Sequence, residues 1–340
     1  MSRLVCFLFS LYLLAGFYNP VEAQKIQSQH LKTLQAIDDS LGEYGSKMLD
    51  ETLPAKRLTA DSMFTRLLVR ALRVPNSFYF GFDSMQMAPV VYPDDSSFRL
   101  ITWHYTLNDA DYRQRGVLQV NTPDGSLKIF PLYDVSDYTD APQDSIRTPQ
   151  NWIGAVYYKI IQKKREDENV YTLIGYDENN ELTTRKWMEM LSFNKNGEPR
   201  WGGSFTIADS TSPRPVVKPR FLLEYKKGSS AKLNYDPEED LIIMDHLVSE
   251  SNQPERKATM VPGGDYEAFK WVNGNWLNDP KLFTQMLGDG NEPREQTILN
   301  DNGIADESKL MEQSEKNMGK DKPAVKPVVK TPAKPVKKKE

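Results

Sequence analysis

A long apolar run stands near the start of the chain, between a basic and a polar segment. Arg3 precedes the apolar residues 4–17, and Val21-Glu22-Ala23 then supplies small residues of the kind found at a cleavage site. This order is typical of a secretory signal peptide over residues 1–23, and the run is too short to span a bilayer. We therefore expect an exported protein, periplasmic or extracellular, without a transmembrane segment.

Helical spacing governs the next segment, residues 24–75. A first set of apolar residues recurs at steps of three to five, although Gly42 and Gly45 weaken its middle. A second helix has Thr59 or Asp61 as its candidate N-cap and ends before Pro75. We expect a helical hairpin that packs on the main domain rather than a coiled coil or a partner-binding arm. The apolar positions are Ile26, Leu31, Leu34, Ile37, Leu41, Tyr44 and Met48, then Met63, Phe64, Leu67, Leu68, Ala71 and Leu72.

Short runs of β-branched and aromatic residues, separated by turn residues, follow over residues 76–285. Asp124-Gly125 is typical of a hairpin turn, and residues 269–276 form a last compact hairpin. About ten such runs, joined mostly by short loops, predict an antiparallel meander built as a sandwich, a barrel or a partial propeller. The expected fold class is therefore mainly β, with the helical hairpin at its N-terminus.

Charge is distributed unevenly along the chain. The whole chain carries a net charge of −4, yet Gly319–Glu340 holds eight lysines against two acidic residues. We expect residues 286–340 to be an acidic linker and a disordered tail rich in lysine and proline. The tail is either a solvating spacer or an electrostatic tether to anionic cell-envelope components, and export argues against nucleic acid. The candidate tether residues are Lys334, Lys337, Lys338 and Lys339.

The only cysteine, Cys6, lies inside the expected signal peptide. The mature chain would then contain no thiol, which excludes a disulfide scaffold, a cysteine-based zinc site and a cysteine nucleophile. Stability must come from the apolar core, and 39% of the residues are hydrophobic. That fraction is ample for one sizeable domain.

Six segments between residues 75 and 276 carry a family resemblance. They are 94–99 (DDSSFR), 150–158 (QNWIGAVYY), 171–177 (YTLIGYD), 191–199 (LSFNKNGEP), 245–247 (DHL) and 261–269 (VPGGDYEAF). On these segments the chain resembles an uncharacterised family of secreted proteins from Bacteroidota-type bacteria. The resemblance implies an exported protein of a Gram-negative envelope, and it implies no activity, cofactor or site residue.

Three histidines are the candidates for acid–base or metal chemistry. His30, His104 and His246 lie in separate segments and therefore lack the spacing of a zinc-protease helix. Asp245-His246, at the end of an apolar run, is the best candidate for a general base. Adjacent residues of a strand point to opposite faces, so Asp245 is poorly placed to orient His246. A structural histidine is the expected outcome.

Two acidic turns place oxygen ligands close together in the sequence. Residues 177–181 carry them at alternate positions, and residues 236–240 form a second cluster. Leu182 stands where an EF-hand loop has glycine, and Met188 where it has a bidentate glutamate. We therefore expect solvated loops and no cofactor, with calcium as a weak alternative.

Tryptophan is concentrated in the β-rich region. Most of these side chains are expected in the core because of their large apolar area. Trp271 and Trp276 flank the hairpin tip at residues 273–275, where we expect them to be exposed. They are the candidate ligand contacts, because sugar rings stack their C–H faces on indoles. The six tryptophans are Trp103, Trp152, Trp187, Trp201, Trp271 and Trp276.

The chain carries no established catalytic motif, and two classes of function remain. The first is a non-enzymatic binding or structural module of the cell envelope, loosely tethered by its basic tail. The second is a hydrolase of glycan or peptide that uses carboxylates. A cleft with two carboxylates about 5–10 Å apart would favour the enzyme, and a surface without convergent polar groups would favour the binding module.

Overall fold

The computed structural model describes residues 26–108, 111–208 and 214–280, which all fall within one unit of the chain. The signal peptide expected at residues 1–23 and the linker and tail expected at 286–340 lie outside the described residues. The candidate tether lysines are therefore outside them as well. Among the helices of the described ranges, none has an apolar stretch long enough to cross a membrane.

The N-terminal segment forms the expected helical hairpin, with α1 at Ser28–Asp50 and α2 at Pro54–Leu72. Helix α2 begins earlier than expected, because Pro54 occupies the first turn, where a missing N–H costs nothing. The caps proposed at Thr59 and Asp61 are therefore wrong. Thr59 Oγ1 donates to Ala55 O at 2.8 Å inside the helix. Asp61 is fully buried and accepts hydrogen bonds from Trp103 and Arg115.

Helix α1 continues through both of its glycines. A Cβ added to Gly42 would lie 2.9 Å from the carbonyl oxygen of Ser84, so glycine is required where this loop crosses the helix. The loop is held there by Asp38, whose Oδ2 accepts a hydrogen bond from the Ser84 N–H at 3.1 Å. The glycine that weakens the helical pattern in the sequence thus permits a close tertiary contact.

Fifteen strands form three sheets in the described residues. Sheet A has the order β1-β2-β3-β4, with strands β1 (Val90–Val91), β2 (Phe98–Asn108), β3 (Asp111–Val120) and β4 (Ile129–Tyr133). Sheet B has the order β11-β7-β6-β5, and β8 also pairs with β7. Its strands are β5 (Val156–Arg165), β6 (Glu168–Asp177), β7 (Thr183–Phe193), β8 (Pro199–Trp201) and β11 (Arg220–Lys226).

Sheet C has the order β10-β9-β15-β14-β13-β12. Its strands are β9 (Phe205–Ile207), β10 (Val216–Lys218), β12 (Leu233–Asp236), β13 (Leu241–Ser249), β14 (Met260–Val272) and β15 (Asn275–Asp279). Strands β9 and β15 pair in parallel, and the other strand pairs of the described ranges are antiparallel. The predicted mainly β, antiparallel fold with an N-terminal helical hairpin is confirmed.

Sheets A and B each pack against a different neighbour on their two faces, because side chains alternate between the faces along a strand. On β2, Ile101 and Trp103 face the helical hairpin, while Leu100 faces sheet B. On β7, Leu191 faces sheet A and Met190 faces sheet C. The layer order is therefore hairpin, sheet A, sheet B and sheet C. An apolar core fills each of the three interfaces, which we call the hairpin–A, A–B and B–C seams.

Candidate functional site

A groove of about 680 Å³ lies between the turn that joins β5 to β6 and the turn that joins β14 to β15. The second turn has φ values of 49° at Asn273 and 81° at Gly274, as a two-residue hairpin turn requires. Arg165 fixes the two turns together, because its Nε and Nη2 donate to Gly274 O at 3.0 and 2.8 Å. We call this the Trp271 groove. Its lining residues are Lys164, Arg165, Glu166, Trp271, Asn273, Gly274 and Asn275.

Trp271 is the one tryptophan of the described residues that is not buried. Its cross-strand partner Trp276 is 0% exposed, and the Trp276 Nε1–H donates to Thr172 Oγ1 at 2.7 Å. The exposure expected for Trp276 is therefore wrong. The two ring centroids lie 5.2 Å apart at 66°, so the buried indole supports the outer one from behind. The groove thus has one pre-positioned aromatic wall.

A second cleft, of about 340 Å³, lies between β11 of sheet B and the face of sheet C. Its floor is apolar and includes Phe221, Met244 and Met260. Three polar side chains converge on it from β13, β14 and β15. His246 Nδ1 lies 2.6 Å from Glu267 Oε1, and Asn278 Nδ2 donates to Glu267 Oε2 at 3.1 Å. We call this the His246 cleft.

The geometry of His246 follows from a β-bulge. The register between β13 and β14 shifts between Asp245 and Leu247, which turns His246 towards Glu267. Asp245 does not orient His246, as the strand alternation predicts. Instead Asp245 Oδ2 accepts a hydrogen bond from the Lys232 N–H at 2.6 Å. The sequence therefore marks His246 as a candidate but carries no local signal for Glu267, its partner 21 residues further along the chain.

The carboxylates around the His246 cleft are already engaged within the protein. Glu224 accepts from Thr183 Oγ1 at 2.8 Å and pairs with Arg185. Asp245 and Glu267 make the hydrogen bonds described above. The cleft therefore presents no pair of free carboxylates of the kind a glycosidase needs.

The other two histidines lie in separate layers and do not join His246. His30 is in helix α1, and His104 is in β2 between the rings of Tyr112 and Tyr176. Burial lowers the pKa of His104, so its neutral form is favoured. Across the described ranges, no group of three or more His, Cys, Asp or Glu side chains is placed to hold a metal ion.

The two candidate calcium turns use their oxygens internally. Asp177 points into the protein and is only 4% exposed. Asp236 Oδ1 accepts from the N–H groups of Glu238 and Glu239, and Asp240 pairs with Lys163. These contacts hold the aspartates of the two turns within the protein.

Comparisons with protein-family models, curated proteins and solved structures find no match to this chain. The resemblance to a Bacteroidota secreted family stays a prediction. The two surface clefts of the B–C seam are therefore the candidate functional sites.

Proposed function

We propose that this protein is an exported, non-enzymatic binding module of a bacterial cell envelope that recognises glycan through the Trp271 groove. The observation that carries the proposal is that Trp271 alone among the six tryptophans remains part-exposed, in a groove lined with hydrogen-bonding side chains. In the same proposal the lysine-rich tail acts as a loose electrostatic tether.

The chemistry of the groove suits a sugar ring. The exposed part of the Trp271 indole offers an apolar face for sugar C–H groups, and Trp276 fixes its position. Asn273 and Asn275 supply amide donors and acceptors for hydroxyl groups at the same turn. Lys164 and Arg165 outnumber the single acidic lining residue, Glu166, so neutral or anionic sugars are favoured over cationic ones.

The test is cosedimentation of the mature protein with purified cell-wall sacculi and with outer-membrane vesicles, at low and moderate salt. The variants are Trp271→Ala, deletion of residues 319–340, and Val272→Ala as a matched control. Val272 is the exposed neighbour of Trp271 and does not line the groove. Acrylamide quenching provides a second readout, because Trp271 is the indole most accessible to a collisional quencher.

We expect salt-resistant binding that survives deletion of the tail, is lost in Trp271→Ala and is kept in Val272→Ala. Bound glycan should also protect the fluorescence of Trp271 from acrylamide. Binding that disappears with the tail and persists in Trp271→Ala would refute glycan recognition and leave only the tether. Absence of binding by every form would refute both.

A second candidate function, hydrolysis of glycan or peptide, is favoured by the His246–Glu267 pair. In the tautomer that donates Nδ1–H to Glu267, the other ring nitrogen of His246 is an acceptor that can take a proton from water. The test is release of soluble fragments from sacculi. An enzyme would lose release in His246→Ala and retain it in Asp245→Asn, since Asp245 is bonded to the Lys232 backbone instead. No release by the unmodified protein would dismiss this function.

A further inference from the structure

The helical hairpin carries a row of arginines near the C-terminal end of α2. Arg66, Arg70 and Arg73 are four and three residues apart, and Arg73 keeps helical backbone angles as the C-cap, so the three lie on one side of the helix. All three are exposed. The opposite side of α2, which includes Phe64 and Leu68, is buried in the hairpin–A seam. We call the three arginines the arginine face.

The arginine face has no counter-charge within the part of the chain that the structure describes. The ion pairs of α2 there involve Lys56, near the start of the helix, and Asp61 on its buried side. Along the sequence, residues 62–82 contain the three arginines and no aspartate or glutamate. The whole chain is acidic, with a net charge of −4. The arginine face is therefore a local source of positive potential on an acidic protein.

A groove of about 440 Å³ runs between α1 and α2 beside the arginine face. Its lining includes two exposed cations, Lys32 on α1 and Arg70 on α2. It also includes the apolar side chains of Ala36, Ile37 and Leu67. The groove thus places apolar contact area next to positive charge, which suits a molecule with an anionic headgroup and an apolar body.

The acidic residues of the hairpin do not neutralise this region. Glu43 and Glu51 each pair with a lysine in the half of the hairpin nearer its turn. The other half comprises residues 28–40 and 63–73, where Asp38 is buried and accepts a hydrogen bond from the Ser84 N–H. Asp39 is then the one exposed carboxylate in this half, against Lys32 and the arginine face. The exposed charge of this half is therefore clearly positive.

We propose that the arginine face, together with Lys32, docks the protein on a membrane surface that carries anionic phosphate headgroups. A guanidinium binds phosphate oxygens through two parallel N–H donors. The row from Arg66 to Arg73 extends about 10 Å along the helix, so it can engage neighbouring headgroups at once. The apolar groove adds contact for the acyl part of a lipid, for which an anionic polysaccharide has no counterpart. This docking is separate from glycan binding at the Trp271 groove.

The first test is cosedimentation of the mature protein with vesicles of phosphatidylcholine, with and without phosphatidylglycerol, at low and moderate salt. The test variant replaces the three residues of the arginine face by glutamine. The matched control removes the same charge elsewhere, as Lys128→Gln, Lys159→Gln and Arg200→Gln, and these three side chains are also exposed. Each protein is made with and without residues 319–340, because the lysine-rich tail also attracts anionic lipid.

We expect the chain without its tail to bind phosphatidylglycerol vesicles, and to bind less at higher salt. The arginine-face variant should bind about 100-fold more weakly, because each cation near an anionic membrane contributes about five-fold. The control variant should bind as the unmodified chain does. Equal loss in both variants, or no vesicle binding without the tail, would overturn the proposal. Retention on immobilised polyuronate through the same arginines, without vesicle binding, would also overturn it and assign the arginine face to an anionic polysaccharide.

The second test reports which side of the protein meets the membrane. The only cysteine is Cys6, in the expected signal peptide, so one introduced cysteine in the mature chain can carry an environment-sensitive fluorophore. Ser62→Cys places it on α2, one turn before Arg66, and Asn234→Cys places it on β12 of sheet C, the other outer layer. We expect phosphatidylglycerol vesicles to shift the emission to the blue at residue 62 and to leave it unchanged at residue 234. No shift at residue 62, or an equal shift at both, would contradict docking through the hairpin.

Discussion

Replacement of Asp177 by asparagine should make the protein more stable near neutral pH. Asp177 ends β6 and is 4% exposed. Its Oδ1 accepts hydrogen bonds from Gln114 Nε2 of sheet A and from the Asn179 N–H at 2.8 Å. Asparagine keeps an acceptor oxygen for both donors and removes the charge. The variant therefore isolates the cost of holding an ionised carboxylate in the A–B seam.

The magnitude follows from the pKa. Burial is the main cause that raises the pKa of Asp177 from 3.8 to about 6, with a smaller contribution from the charge of Asp134. Because the folded-state pKa lies above the unfolded one, the protonated form stabilises the fold fully below the unfolded pKa. That contribution is lost as pH rises through about 6. A shift of about 2 units corresponds to about 3 kcal/mol in the free energy of unfolding.

The assay is urea unfolding of both proteins at intervals between about pH 4 and pH 8. The difference between them cancels the titration of other groups. We expect near equality at the acid end and a growing advantage for Asp177→Asn as pH rises, up to about 3 kcal/mol at pH 7. Asp124→Asn is a control of opposite sign, because hydrogen bonds from Ser126 lower the pKa of Asp124. A flat difference across the range, or a less stable Asp177→Asn at pH 7, would refute the desolvation argument.

Three further predictions concern the free energy of unfolding, measured by urea titration. Trp276→Phe should lower the free energy of unfolding by about 1–3 kcal/mol, because it leaves the buried Thr172 hydroxyl without its indole donor. An unchanged free energy of unfolding would mean that another hydrogen bond replaces this one. Arg99→Lys should cost a similar amount, about 1–3 kcal/mol, because lysine does not reproduce the fork that serves four acceptors. Gly116→Ala should cost about 1–3 kcal/mol, since its Cβ would lie 2.8 and 2.9 Å from neighbouring side chains. Gly45→Ala, whose Cβ would meet its nearest neighbour at 3.8 Å, should cost less than Gly116→Ala, and the reverse order would contradict the steric argument.

Local elements could be predicted because their signals are local. The apolar spacing of α1 marks its buried face, and the Asn273-Gly274 pair marks a two-residue hairpin turn. The start of α2 was misplaced, because Thr59 and Asp61 resemble caps while Pro54 begins the helix. The assembly of strands into three stacked sheets left no signal of this kind. In particular, β9 pairs in parallel with a strand that comes about 70 residues later.

Site residues were harder to predict, because their roles depend on cross-strand neighbours. The sequence identifies His246 as a candidate general base. Its contact with Glu267 depends on a β-bulge between β13 and β14, and no residue pattern predicts that bulge. Asp177 stands in an acidic run typical of a solvated turn. It is nevertheless buried, because it lies against sheet A and accepts a hydrogen bond from Gln114 there. Trp276 was expected at a surface because it flanks a turn, and the packing of sheet C on sheet B covers it.

The polar chemistry of the fold is divided among its seams. The hairpin–A seam holds Asp61, which pairs with Arg115, and the A–B seam holds Asp177 and the Glu189–Arg220 ion pair. Asp61, Asp177, Glu189 and Arg220 are buried, so their charges chiefly affect how tightly the layers are joined. The B–C seam instead opens to solvent at the Trp271 groove and the His246 cleft. Substitutions in the first two seams should therefore change stability before binding, whereas exposed residues of the B–C seam should change binding while the fold remains intact.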